Sequence, residues 1–406
     1  MFTCEAIKLT SERFFFVSPS LPPSSHKAHT YVYWIVRKIR LKIMETSETL
    51  LSPGQRIRPN VNEETVIDLL SKIYGLTVID IKELNAYDDR NYHVHCKESH
   101  VNPYISVISE HGYVIKIINS LDSRNTHVID AQTEMLLFLN GHVNCPIPVK
   151  NLKGTYYTVF EKTNTEDTDD GDCHAIRLFV YRPGQLLKSV SSSKELLYKV
   201  GHLVADLDMK LSKFYHPAFE HHRTMWMLSS MSKLHYFVFA VHNEKLKRLA
   251  CEVIDTFEKD VMKYVPILEQ GVIHGDLNEQ NILVNEEGTD IVGIIDFGDS
   301  QKTCLIFELA IAVCYMLLER NDINEGKHVI EGYQSLRKLT DLEKKILKVT
   351  VCARICQSLV MGAYSHLNDP KNEYILTTQK NGWPLLQKLW PISDDDISKI
   401  WDLHDQ

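Results

Sequence analysis

The chain has 406 residues, with 45 lysine and arginine residues against 53 aspartate and glutamate residues, for a net charge of −8. This length is sufficient for two lobes with buried cores, and the negative charge argues against a surface that coats nucleic acid. The 9 cysteines contain no Cys-x-x-Cys pair, so neither a zinc site nor a disulfide framework is indicated, and a reducing compartment fits best.

The beginning of the chain differs in composition from the rest. Residues 1–44 contain far more basic than acidic residues, and the prolines of the Ser-Pro-Ser-Leu-Pro-Pro-Ser-Ser run exclude a regular element there. The apolar run at residues 30–36 is too short to cross a bilayer. We therefore predict a basic, disordered leader at residues 1–60 and no membrane partner. A basic, acid-poor segment also suits a transit peptide, so we expect a cytoplasmic location, with mitochondrial import as the alternative.

Residues 61–182 predict a small β-rich lobe. A helix begins after Asn62, an N-cap residue followed by two carboxylates, and ends at Gly75. Alternating or apolar runs predict a further helix at 130–139, and they predict strands at 78–84, 92–96, 104–108, 112–118, 156–160 and 176–181. The acidic stretch before the last strand predicts a solvated loop. Arg182-Pro-Gly then follows, which suits a hinge whose backbone groups hold a purine.

Lys116 lies at the centre of the apolar strand 112–118. Because an unpaired buried ammonium is costly, this lysine needs an anionic partner, and nucleotide phosphate is the natural candidate. The alternative is an edge-strand lysine that faces solvent. The turn at 87–91, which would cover the phosphates, contains no glycine. Asn91 or Arg90 is expected to substitute, since Asn tolerates left-handed backbone and Arg reaches phosphate; a plain β-turn is the alternative.

The helix at 130–139 is expected to provide a carboxylate that pairs with Lys116. We choose Glu134, which shares a helix face with Asp130 one turn earlier. Gln132 occupies the other candidate position, and an ordinary exposed carboxylate is the alternative interpretation of Glu134.

The strongest functional signal is a His-Gly-Asp-Leu-Asn run between two apolar segments, followed by Asp-Phe-Gly-Asp. An Asp five residues before an Asn, with Asp-Phe-Gly further on, is the arrangement that phosphoryl transfer requires. Asp276 is predicted to accept or orient the proton of a hydroxyl nucleophile. Asn281 and Asp296 are predicted to hold Mg²⁺ against the nucleotide phosphates. His274 is expected to hold the loop backbone, because the carboxylate already serves as the base.

Residues 183–406 predict a larger lobe made mainly of helices, with apolar residues at helical spacing in runs at 196–214, 246–264, 305–319 and 342–364. Arg354 and Gln357 are polar groups three residues apart on the last of these helices. With Asp299, they are the candidate contacts to a substrate amine or carboxylate. A structural salt bridge is the alternative for Arg354.

The motifs resemble those of the aminoglycoside phosphotransferase and choline kinase group, in which His-Gly-Asp replaces the His-Arg-Asp of protein kinases. The resemblance implies an α+β, protein-kinase-like bilobal fold, with a small β-rich N-lobe carrying one helix and a larger, mainly helical C-lobe. It also implies that Glu308, which follows Asp-Phe-Gly-Asp, braces the catalytic loop.

Other runs resemble a subfamily of this group that phosphorylates free 5-hydroxy-L-lysine; they are Tyr-Asp-Asp-Arg-Asn-Tyr-His-Val at 87–94, Cys-Gln-Ser-Leu-Val-Met at 356–361 and Ala-Tyr-Ser at 363–365. This resemblance implies transfer of the γ-phosphoryl group of GTP, or alternatively ATP, to the side-chain hydroxyl of hydroxylysine. One alternative is a kinase for another small alcohol, such as choline, ethanolamine, homoserine or methylthioribose. The other is a non-catalytic nucleotide-binding regulator, which the missing glycine loop suggests. The sequence does not fix the oligomeric state.

Overall fold

The computed structural model describes residues 50–161, 173–370 and 378–404. Its strands are β1 Val78–Leu84, β2 Arg90–Cys96, β3 Tyr113–Ile117, β4 Ile147–Pro148, β5 Tyr157–Glu161, β6 Cys173–Val180, β7 Gln185–Leu186, β8 Gln270–Ile273, β9 Ile282–Val284, β10 Ile291–Ile294 and β11 Gln301–Cys304. Its α-helices are α1 Glu63–Leu69, α2 Thr126–Leu139, α3 Lys194–Leu211, α4 Ala218–His221, α5 Glu244–Asp260, α6 Leu305–Arg320, α7 Gly326–Gln334, α8 Asp341–Asn368, α9 Gln379–Leu389 and α10 Asp394–Ile400. The predicted leader up to residue 49 and the acidic loop after β5 lie outside the described residues.

The smaller lobe is built on an antiparallel sheet with strand order β1-β2-β3-β6-β4, and β5 also pairs with β6. Ile115 and Ile117 of β3 are fully buried, and Lys116 points to the opposite face because side chains alternate along a strand. The Asn62 side chain caps α1 by accepting from the Thr65 amide at 2.9 Å. α1 packs its apolar side on the sheet, and the described part of this lobe contains both helices that the sequence predicted, α1 and α2.

The prediction of a strand at 104–108 is wrong, because this segment forms turns. The Asn102 side chain holds it in that conformation. Its Nδ2 donates to the backbone oxygens of Tyr74 and Lys150 at 3.0 and 2.9 Å, and its Oδ1 accepts from the Tyr104 amide at 2.9 Å. β2 is already paired on both edges, with β1 and β3, so β3 follows β2 in the sheet directly.

The last part of the predicted leader, from residue 50 to residue 60, belongs to the folded body. The Ile57 carbonyl accepts from the Ser120 amide of the smaller lobe at 2.9 Å. Arg58 pairs with Asp369 at 2.7 Å, just beyond the end of α8 in the larger lobe. Residues 50–60 therefore contact both lobes within the part of the chain that the structure describes.

The larger lobe is organised around the buried helices α6 and α8. α8 begins with a capping box, in which the side chains of Thr340 and Glu343 each accept from the other's backbone amide. By length and composition alone α8 could cross a membrane, but 89% of its most apolar window is buried inside the protein. Burial of this kind is typical of a core helix, and it places Arg354 and Gln357 in the interior.

The helices α3 and α7 pack with their backbones in close contact at two glycines. A Cβ added at Gly201 would lie 1.8 Å from the Val329 carbonyl oxygen, and one at Gly332 would lie 1.9 Å from the Tyr198 carbonyl oxygen. No side chain larger than hydrogen fits at either position without separating the helices.

We expect Gly332→Ala to lower the free energy of unfolding by about 1–3 kcal/mol, the usual cost of inserting a methyl group into a well-packed interface. Thermal or denaturant unfolding measures this loss. Lys327→Ala, at an exposed position of the same helix, is the matched control and should leave stability unchanged. Equal stability of the two variants would contradict the close helix contact.

Candidate active site

The loop after β8 carries the His-Gly-Asp run, and its backbone is fixed from two sides. Gly275 has a φ of +85°, and a Cβ there would lie 2.3 Å from the Asp299 carbonyl oxygen, so only glycine permits this approach. Glu308, fully buried on α6, accepts from the Gly275 amide at 3.2 and 3.1 Å through its two oxygens. The structure therefore places Glu308 against the catalytic loop, which is the position expected of a residue that braces this loop.

His274 is also part of this backbone support. Its Nδ1 accepts from the Asp276 amide at 3.2 Å, which means that Nε2 carries the proton and donates to the Ile295 carbonyl at 3.0 Å. Burial lowers the pKa of His274 to about 4. A neutral imidazole whose two nitrogens both contact backbone suits a role in holding the loop and leaves proton transfer to another group.

The Asp276 carboxylate is held by three side chains. Its Oδ2 accepts from the amide nitrogens of Asn278 and Asn281 at 2.8 and 2.9 Å, and its Oδ1 accepts from Arg354 Nη2 at 2.8 Å. Burial raises the pKa of Asp276 to about 6, although the Arg354 guanidinium opposes this rise. The result is a rigidly oriented carboxylate that is basic enough to accept a hydrogen bond from an acceptor hydroxyl.

Asp296 and Asn281 offer oxygen atoms to a cation. Asp296 has a φ of +61° and its Oδ1 contacts Lys116 Nζ at 2.8 Å and the Gly298 amide at 3.3 Å. Burial acts to raise the pKa of Asp296, but the Lys116 ammonium outweighs it and the pKa is lowered. The Asn281 amide nitrogen donates to Asp276, so its oxygen faces away from that carboxylate. A carboxylate and a carboxamide oxygen fit Mg²⁺, which prefers oxygen ligands.

Within the described ranges, no three His, Cys, Asp or Glu side chains form a cluster that could hold a metal ion. This agrees with the way Mg²⁺ is bound beside nucleotides, through one or two protein oxygens together with phosphate oxygens and water.

The Lys116 ammonium pairs with two carboxylates, and neither is the predicted partner. Its Nζ lies 3.0 Å from Asp89 and 2.8 Å from Asp296. The predicted pairing of Lys116 with Glu134 is wrong, because the Glu134 side chain is exposed and lies 3.8 Å from His216. Glu134 faces outward because Gln132, two residues earlier on α2, is the side chain that points toward the sheet.

Gln132 connects α2 to the Asp-Phe-Gly segment. Its Nε2 donates to the Gly298 carbonyl at 2.7 Å, and its Oε1 accepts from Arg177 Nη1 at 3.0 Å. The side chain that α2 directs toward the site is therefore the neutral amide of Gln132 and not an acid. The anionic partner of Lys116 comes instead from the loop between β1 and β2. Asp89 is fixed there by the backbone amide and the side-chain amide of Asn119, at 2.8 and 3.1 Å.

We expect Asp89→Asn to weaken nucleotide affinity, because Lys116 loses one of the two carboxylates that hold its ammonium in place. A surface-type ion pair contributes only about 0.2–1 kcal/mol, but these side chains are mostly buried, so a loss of affinity above roughly fivefold is expected. Glu134→Gln, on the exposed face of α2, is the control and should bind nucleotide like the wild type. Nucleotide titration by calorimetry separates the two variants, and equal affinities would contradict the role of Asp89.

Asn91 lies on β2, directly across from Lys116 in the register of the two strands. Its Oδ1 is buried and has no hydrogen-bond partner in the described part of the chain. The position is compatible with the predicted contribution to nucleotide binding, although it lies within the strand and not in a phosphate-covering turn.

Arg354 and Gln357, the predicted substrate contacts, are both buried and directed inward, and their observed partners belong to the protein itself. Arg354 is 1% exposed and pairs with Asp276, as the salt-bridge alternative expected. Gln357 accepts from Arg354 Nη1 at 3.0 Å and donates to the Met225 and Met227 carbonyls at 2.7 and 3.2 Å. Arg354 Nη1 and the Gln357 amide nitrogen each donate two hydrogen bonds, whereas the buried Arg354 Nε has no hydrogen-bond partner within the described residues.

Asp299 differs from Arg354 and Gln357, the other two predicted substrate contacts, because its carboxylate makes no hydrogen bond or ion pair within the described residues. Burial and the nearby Asp276 carboxylate raise its pKa well above the usual range, against the opposing effect of Arg354. A carboxylate in this situation is stabilised by a cationic ligand.

The fold and the site together define a phosphotransferase. Residues 80–343 match the family described as "Phosphotransferase enzyme family". Among solved structures, a microcompartment-associated aminopropanol kinase matches 81% of this chain and 98% of its own, with a TM-score of 0.61 at 16% identity. An amicoumacin kinase bound to AMP-PNP, Ca²⁺ and its ligand has a TM-score of 0.58 over 83% of this chain and 97% of its own, also at 16% identity. The predicted α+β, protein-kinase-like fold is confirmed.

The curated relatives narrow the class. The hydroxylysine kinase of Xenopus laevis is 35% identical over 361 residues, which cover 85% of this chain and 94% of that protein. The chain belongs to the phosphotransferase enzyme family, and it is similar to hydroxylysine kinases along most of their length. It is an enzyme of the kind that transfers a phosphoryl group to an alcohol, with a nucleotide as donor.

Proposed function

We propose that the enzyme transfers the γ-phosphoryl group of GTP to the side-chain hydroxyl of free 5-hydroxy-L-lysine. The observation that carries this proposal is the set of contacts in the site: the Asp276 carboxylate is oriented by Asn281 and Arg354, and Asp296 pairs with Lys116. The similarity to hydroxylysine kinases along most of both chains supports the acceptor. GTP is the donor that the subfamily resemblance implies.

The chain's own residues divide the reaction between them. Asp276 accepts the hydrogen bond of the acceptor hydroxyl and takes its proton as the oxygen attacks the γ-phosphorus. The bond between the γ-phosphorus and the bridging oxygen breaks in the same step, and the nucleoside diphosphate leaves. Lys116 neutralises charge on the phosphates that are not transferred. Asp296 and Asn281 would hold Mg²⁺, which would supply positive charge to stabilise the phosphates.

The charges of the cleft favour a cationic acceptor. 5-Hydroxylysine carries two ammonium groups at neutral pH, and Asp299 offers a carboxylate without a partner close to Asp276. A second unsatisfied acceptor lies in the catalytic loop, where Glu279 Oε2 is buried without a hydrogen bond. An ammonium group placed near these oxygens would offset their burial, whereas a neutral alcohol would leave them unpaired.

We expect Asp299→Asn to raise the KM for the acceptor while leaving nucleotide affinity unchanged. A hydrogen bond to a charged group contributes about 1.5–3 kcal/mol, which corresponds to about 10- to 100-fold in affinity. Steady-state kinetics with varied acceptor measures the change. An unchanged acceptor KM would remove Asp299 from the acceptor site.

A panel of acceptors tests the proposed activity. Nucleoside diphosphate release is measured from GTP and from ATP with 5-hydroxylysine, homoserine, choline, ethanolamine and methylthioribose. The proposal expects 5-hydroxylysine with GTP to give the highest kcat/KM, and lysine, which lacks the hydroxyl, to give none. A higher kcat/KM for another alcohol would keep the phosphotransferase chemistry and replace the acceptor.

A further inference from the structure

Arg354 is placed in an unusual way for a buried arginine, because its single carboxylate partner among the residues that the structure describes is the expected general base. The guanidinium is 1% exposed, and Nη2 donates to Asp276 Oδ1 at 2.8 Å. A buried ion pair is weak evidence for a contribution to stability, since desolvation of the two charges can exceed their attraction. The position of this pair on the reacting carboxylate therefore needs a functional explanation.

The guanidinium itself is immobilised. Nη1 donates to Gln357 Oε1 and to the Trp226 carbonyl, both at 3.0 Å. The plane lies beside two aromatic rings, with distances of 5.3 Å to the Trp226 centroid and 5.4 Å to the Tyr315 centroid. Contacts on both its amino groups and its faces leave Arg354 one orientation, which is the orientation that meets Asp276.

Trp226 extends this support to the smaller lobe. Its ring meets the ring of Tyr87 edge to face, with 5.1 Å between centroids. Tyr87 belongs to the loop between β1 and β2 that also carries Asp89, the partner of Lys116. The residues that hold Arg354 are therefore in contact with the loop expected to cover the nucleotide.

The hydrogen bonds to Asp276 distinguish its two oxygens. A carboxylate offers about four acceptor positions, two on each oxygen. Oδ2 accepts from both Asn278 and Asn281, so its positions are filled, whereas within the described ranges Oδ1 accepts only from Arg354. One acceptor position on Oδ1 thus remains for the hydroxyl of the incoming alcohol.

We propose that Arg354 is a positioning residue: it fixes the plane of the Asp276 carboxylate and makes Oδ1 the oxygen that receives the acceptor proton. This inference rests on the proposed function, in which Asp276 is the base.

The test combines kinetics with a double-mutant cycle on stability. Arg354→Met should lower kcat about 100-fold, the loss expected when a reacting group is displaced by about 1 Å, with nucleotide and acceptor KM values changed less than about threefold. Arg354→Lys keeps the charge but not the planar fork, so it should recover part of kcat. A rise in acceptor KM with kcat intact would instead assign Arg354 to the substrate carboxylate and overturn the proposal.

The stability arm does not require turnover. Arg354→Met leaves the Asp276 carboxylate buried without its cation, so adding Asp276→Asn in the same chain should raise the unfolding temperature above that of Arg354→Met alone. Additive losses in the double variant would contradict the pairing. Arg337→Met is the matched control: Arg337 pairs with the buried Glu343 at 2.6 Å away from the site, so stability should fall while kcat stays unchanged.

The two arms also separate this inference from the proposed function. If the wild-type enzyme does not phosphorylate 5-hydroxylysine, the proposed acceptor fails, and the kinetic arm is run with whichever acceptor of the panel is turned over. A non-additive stability cycle together with an unchanged kcat in Arg354→Met would overturn only the positioning role.

Discussion

Replacing Asp276 with Asn is expected to abolish most turnover while nucleotide binding is retained. The substitution keeps the shape of the side chain but removes the proton acceptor, and general base catalysis by a positioned group contributes typically about 10²- to 10⁴-fold in rate. kcat should fall by this factor with either nucleotide as donor. Binding should persist because Lys116 and Asp296, which contact each other at 2.8 Å, are unaffected by the change.

Isothermal titration with a non-hydrolysable nucleotide, run beside the kinetic assay, checks both halves of this expectation. Asn278→Ala is a useful comparison, since it removes one of the two amides on Oδ2 and leaves the base itself present. Its loss of kcat should be smaller. Equal loss of nucleotide binding and turnover in Asp276→Asn would argue that Asp276 belongs to the nucleotide site.

Replacing Asp296 with Asn is expected to weaken nucleotide binding in the presence of Mg²⁺ and to abolish most activity. Asp296 is the predicted metal ligand, and it is also the nearest carboxylate to Lys116. Changes to residues that merely surround a metal cost about 10- to 100-fold in affinity or activity, so loss of a ligand should cost at least that much.

The dependence on Mg²⁺ separates the two contributions of Asp296. Nucleotide affinity is measured with saturating Mg²⁺ and with a chelator. In the wild type the ratio of the two affinities should be large, and in Asp296→Asn it should approach one. A variant that retains the wild-type ratio would show that the cation is held elsewhere.

Motif spacing was sufficient to predict the chemistry of the site, because His-Gly-Asp, Asn281 and Asp-Phe-Gly lie on consecutive short strands and loops. Local geometry brings them together: Ile295 donates its amide to the Asn281 carbonyl at 2.8 Å, just before Asp296. The loop support by His274 was expected from its place in the motif, whereas that by Glu308 was implied by the family resemblance.

Contacts between distant segments could not be predicted in the same way. The partner of Lys116 was expected on α2, but it depends on how the loop between β1 and β2 folds over the sheet, and Asp89 had no signal beyond being an acid in a turn without glycine. Arg354 was recognised as an unusual polar residue on an apolar helix. Its partner, Asp276, lies 78 residues away in sequence. The spacing of apolar residues along a helix indicates which side chains are buried, but it does not identify the residue that a buried side chain contacts.

Formation of phosphohydroxylysine is the most direct test of the central claim. The enzyme is incubated with Mg²⁺, GTP and 5-hydroxylysine, the product is followed by ³¹P nuclear magnetic resonance, and GDP is quantified in parallel for the wild type and for Asp276→Asn. The account predicts a phosphomonoester signal on hydroxylysine equimolar with GDP in the wild type, and its loss in the variant with nucleotide still bound. GDP release without a phosphorylated acceptor, or product formation that survives Asp276→Asn, would contradict it.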